Sequence, residues 1–117
     1  AQCNTAEAAA RNAEALRHRR EAGDRLGIAQ GVEALARVAV ALGEQERAAV
    51  LLGAAAAERQ ALGIALMADE QAVPDTTVAT ARSSLGDIRF GSAWMRGQLS
   101  SVEQAVNEAL TLASEAQ

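Results

Sequence analysis

Apolar residues recur along this chain at three- and four-residue intervals, the spacing that lines one face of an α-helix, and glycines break the pattern at near-regular points. The first stretch, 5–22, puts Ala6, Ala9, Ala10, Ala13 and Leu16 on one stripe, with Thr5 as the expected N-cap and Gly23 as the stop. A second helix is expected over 24–42. Asp24 caps it, Val32, Leu35, Ala36 and Ala39 form its main apolar face, and Gly43 ends it. A third is expected over 44–62, with Ala48, Leu51, Leu52, Ala55 and Ala56 inward and Gly63 as stop. Val38, Val40 and Val50 fall off these faces, so both helices need neighbours on more than one side.

The pattern weakens over 64–73, and Pro74, which has no amide proton for a helix interior, marks a loop before a fourth helix over 74–85 with Val78, Ala81 and Leu85 inward. Gly86 and Asp87 repeat the glycine-stop, acid-cap punctuation and open a fifth helix. It carries Phe90 and Trp94 four residues apart on one face and is expected to end at Gly97. The last helix is expected to start at Ser100, with Glu103 completing a capping box and Val102, Ala105, Val106, Ala109, Leu110 and Ala113 on one face. No stretch alternates apolar and polar over a strand's length, so no sheet is expected.

Composition sharpens this all-α reading. The 117 residues suit one domain, which at this size buries about two-thirds of its unfolded surface. Half are apolar, yet Phe90 and Trp94 are the only aromatics and alanine dominates, so the core must come from closely approaching helices rather than bulky side chains. A net charge of −4 gives no reason to expect nucleic acid or an anionic membrane as a direct partner. Every basic residue is Arg, a bias that goes with high-GC genomes. With one Cys, no signal segment and no run of 18 apolar residues, a cytoplasmic location is the default expectation. The chain begins at Ala1 and its first stripe starts within six residues, which reads as a piece of a longer protein.

Val32, Leu35, Ala36, Ala39, Ala48, Leu52 and Ala55, with Gly43 in the turn, stand at the spacings of a tetratricopeptide repeat. The pattern has a steric cause: antiparallel helices joined by a tight turn admit only small residues where they cross. The expected fold is therefore a right-handed array of antiparallel hairpins, about six helices in one domain. Residues 1–63 form its tetratricopeptide-like part and 64–117 a helical cap. Residues 21–35 (EAGDRLGIAQGVEAL), 42–58 (LGEQERAAVLLGAAAAE) and 85–110 (LGDIRFGSAWMRGQLSSVEQAVNEAL) also resemble, in order, the C-terminal helical region of actinobacterial regulators of the LuxR and related signalling-ATPase families. Pro74 and residues 65–68 depart from that family's pattern. The resemblance implies a regulatory context. It transfers no nucleotide or DNA site, because neither a phosphate-binding loop nor a helix-turn-helix segment is present.

Candidate chemistry is sparse. His18, four residues after Glu14, lacks companions for a metal site and reads as half of a helix-surface pair. Cys3 has no activating base beside it and reads as a free thiol. The run 17–20 is either a solvated face or a contact for an acidic partner. Phe90, Trp94 and Met95 read as core in preference to a ligand pocket, and Gly53 as a point of close helix approach in preference to a hinge. No nucleophile–base pair or metal cluster is legible, so no enzyme activity and no cofactor is expected. In the repeat register the outward positions of the second helix are Gln30, Glu33, Arg37 and Ala41, which either contact a partner or face solvent. The expected role is a protein-interaction or regulatory module, binding a protein or other domains of its parent chain. The alternatives are an effector-sensing domain, in which the Trp94 helix roofs an apolar cavity, and a stand-alone homodimerisation module.

Overall fold

The computed structural model describes residues 2–63 and 75–117, and among them every regular element is helical. The helices are α1 (Gln2–Ala22), α2 (Arg25–Ala41), α3 (Gln45–Leu62), α4 (Asp75–Leu85), α5 (Asp87–Leu99) and α6 (Val102–Ala116). The side chain of Cys3, residues 65–68 and Pro74 lie outside the described residues, and with them the expectations placed there.

Punctuation by glycine is as expected at Gly23, Gly43, Gly63 and Gly86, whose φ values lie between 71° and 85°. Asp24 caps α2 by accepting a 2.9 Å hydrogen bond from the Gly27 amide. Three boundaries differ from expectation. Thr5 lies inside α1, which is already under way at Gln2. Gly97 lies inside α5, which runs on to Leu99. The capping box of α6 is Ser101 with Gln104, because the Ser100 hydroxyl is taken up closing α5, donating to the carbonyls of Arg96 and Gly97 at 3.0 Å each. The hydroxyl one residue later is then the one free to cap α6.

One core cluster joins Ala9, Ala13 and Leu16 of α1, Val32, Leu35 and Ala39 of α2, Leu51, Leu52 and Ala55 of α3, and Val106, Ala109 and Leu112 of α6. A smaller one holds Ala49, Ala81, Phe90 and Ala93, with Val40, Val50 and Val78 packed against it. Val40 and Val50 thus serve the second neighbour that their off-face positions implied. Ala105, Val106, Ala109 and Ala113 of α6 are buried as expected, while Leu112 joins them and Leu110 is only half-buried, which turns the inner face slightly toward Leu112.

α3 is the hub: α2, α4, α5 and α6 all pack on it. In an open repeat array each unit meets only its neighbours. Here α6 also returns to α1 and α2, so the two ends of the chain are tied together. α3 and α5 approach each other closely. A Cβ on Gly53 would collide with the Trp94 carbonyl, and one on Gly97 with the Val50 carbonyl and, at 2.8 Å, the Ala54 amide. Gly53 is the close-approach residue expected. Gly97, expected as a helix stop, is its counterpart on the facing helix.

The arginine bias becomes structure at the helix junctions. Buried Arg59 of α3 grips buried Glu33 of α2 with two hydrogen bonds of 2.7 and 2.9 Å, the planar fork matching the carboxylate as a lysine could not. Arg25 meets Glu58 at 2.7 Å, and Arg47 joins α3 to α6 through Glu108 (3.1 Å) and Glu115 (2.6 Å).

Candidate interaction surface

The four outward positions expected on α2 do not form one surface. Arg37 and Ala41 are exposed and Gln30 is half-buried. Glu33 is a correction: it is 6% exposed and turned inward to Arg59, because α3 crosses α2 at that point. The Glu33 hydrogen bonds hold the Arg59 guanidinium above its ordinary pKa. That partner lies 26 residues away, beyond the reach of local periodicity. The basic run on α1 is split as well. Arg17 and His18 are exposed, His18 standing 3.8 Å from Glu14, while half-buried Arg19 donates to the Gly27 carbonyl at 3.1 Å.

The largest departure is on α5. Phe90, Ala93 and Gly97 face the core, and Met95, expected beside Phe90 and Trp94, is 54% exposed on the other side. At about 100° per residue, Ile88, Ser92, Met95 and Leu99 share an arc of about 60° opposite the buried face. Ile88 is 88% and Leu99 79% exposed, so α5 shows solvent a stripe of large apolar side chains with a small gap at Ser92 and the neighbouring Gly91. The periodicity of α5 was legible, but with apolar residues on both sides it did not reveal which face was free.

One flank of the stripe carries Arg89 and Arg96. Both are engaged within the chain, donating to Glu46 of α3 at 3.0 and 2.6 Å. Hydrogen bonds from Arg89 and then Arg96 hold the Glu46 carboxyl below the ordinary glutamate range. Beyond Leu99 a groove of about 910 Å³ opens between α3, α5 and α6, floored by Val50, Leu51, Ala54 and Ala105. A separate pocket of about 330 Å³ lies at α4–α5. The Arg82 guanidinium stands 4.7 Å over the Phe90 ring there, and Phe90 lies 5.7 Å from Trp94.

Among the described residues no group of three or more His, Cys, Asp and Glu is placed to hold a metal, and no helix is long and apolar enough to cross a membrane. Comparison with family models, with curated proteins and with solved structures finds no match for the chain.

Proposed function

We propose that the chain is a non-catalytic interaction module of a larger bacterial transcriptional regulator, of the LuxR and signalling-ATPase kind its sequence resembles. In this reading α1–α3 are a stretch of right-handed tetratricopeptide-like array, α4–α6 cap it, and the module works in the cytoplasm. The observation that carries the reading is the outer face of α5. Ile88, Met95 and Leu99 expose large apolar side chains along one helix face, the kind of surface that marks a site of association. Partner binding would act by favouring one of two packings of the module against the rest of its parent, which requires unequal affinity for the two.

A second reading, an effector-sensing domain, draws on the pocket over Phe90 and Trp94, whose size is near the lower end for small-molecule sites. Thermal denaturation of the chain with small aromatic and anionic metabolites separates the two. A ligand at one hundred times its Kd stabilises by about 2.7 kcal/mol. The interaction reading expects no such rise in Tm. A saturable rise that is lost in Arg82→Ala would replace it with the sensor reading.

A further inference from the structure

We infer that the outer face of α5 binds the same face of a second copy of this chain, as an antiparallel helix pair about a two-fold axis. The inference deepens the interaction reading by naming the partner, and rests on it only for the surface used.

Ile88, Ser92, Met95 and Leu99 are separated by four, three and four residues, so the stripe reads the same in both directions. Its midpoint falls between Ala93 and Trp94. Set antiparallel about that point, Ile88 of one copy meets Leu99 of the other, and Met95 meets Ser92. The largest exposed flexible side chain then fills the gap left by the smallest, twice, by symmetry. A parallel pairing would put Met95 against Met95 and leave Ser92 facing Ser92 across a void. A surface that complements itself under a two-fold rotation is what an isologous dimer requires. Gly91, where an added Cβ would meet nothing within 4 Å, lets the second helix come close.

Charge does not call for a different occupant, because Arg89 and Arg96 on the flank are already held by Glu46. Area sets the strength. The facing half of a helix about 12 Å across, over a length of about 20 Å, has a curved surface of about 400 Å². That is about half of the ~800 Å² per partner in a standard interface, which places the dimer among weak, concentration-dependent associations.

Sedimentation of the Cys3→Ser chain from about 1 μM to about 1 mM is expected to show mass rising from monomer to dimer. Met95→Glu combined with Leu99→Glu should raise the dissociation constant at least about tenfold with helicity unchanged, whereas Ser83→Glu, exposed on α4, should leave it unaltered. Under mild oxidation, Ile88→Cys chains mixed with Leu99→Cys chains should cross-link, and neither alone should do so. A monomer throughout the range overturns the proposal, and so does association indifferent to Met95 and Leu99 or rapid self-linking of Ile88→Cys. None of these results depends on the thermal-denaturation test of the module's role, so the two can fail separately.

Discussion

Replacing Gly97 by Ala tests the tight α3–α5 junction directly. In an exposed helix the change would stabilise by about 1 kcal/mol, since glycine is the poorer helix former. At this position the added Cβ would collide with the Val50 carbonyl and the Ala54 amide, both backbone atoms that no rotamer change can move aside. The helices would have to part by about 1 Å, and a gap of that size gives up a quarter to a half of the dispersion attraction across it. Overpacking of ordinary side chains costs about 1–3 kcal/mol. With backbone on both sides about 3–5 kcal/mol is expected, and subtracting the propensity gain leaves a net loss of about 2–4 kcal/mol. At an unfolding entropy of about 2.1 cal/mol/K per residue, the 117 residues turn this into a fall in Tm of about 8–16 °C. Gly91→Ala is the internal control, on the same helix but open to solvent, and should raise Tm by about 4 °C in dilute solution. Thermal denaturation followed by circular dichroism reads both. If Gly97→Ala raises Tm as Gly91→Ala does, the close approach of α3 and α5 is refuted.

Further consequences follow from the polar junctions. Arg59→Met leaves the Glu33 carboxylate buried without its fork and should cost about 3–5 kcal/mol in chemical denaturation, whereas Glu33→Leu with Arg59→Met should restore stability to within about 1 kcal/mol of the parent or above it. Ser101→Ala should cost about 1 kcal/mol by removing the α6 N-cap, whereas Ser100→Ala, which loses only hydroxyl bonds to the Arg96 and Gly97 carbonyls at the end of α5, should cost about 0.5 kcal/mol or less. The Glu46 carboxyl is held below its ordinary range, so its clamp on Arg89 and Arg96 contributes stability above the unfolded-chain value of about 4.3 and loses it as pH falls through the lower folded value. Tm measured across that acid range should therefore fall more steeply for the parent than for Glu46→Gln.

Helix number, order and most boundaries were legible because each rests on a local rule: periodicity, a left-handed glycine, or an acid cap. What escaped the sequence was set by pairs far apart in the chain. Gly97 reads locally as a stop and becomes a contact only once Val50 lies across from it. Glu33 reads as outward on an isolated α2, and the arginine that turns it inward belongs to α3. Ser100 and Ser101 offer equivalent caps until the true end of α5 assigns one to each helix. The exposed stripe of α5 stayed hidden for a related reason. In an alanine-rich chain with two aromatics, Met95 beside Trp94 is indistinguishable from core until the packing of α5 on α3 fixes which side is covered.

Among the described residues the six helices form one body, closed by α6 against α1, with the apolar face of α5 exposed. Far-UV circular dichroism and light scattering on a single dilution series, from about 1 mM to about 1 μM, test this arrangement most directly. Helicity should stay constant while mass falls from dimer to monomer, because dilution uncovers only the α5 face. Helicity lost in step with mass would contradict the account, since it would mean that the helices depend on neighbours outside the chain for their fold.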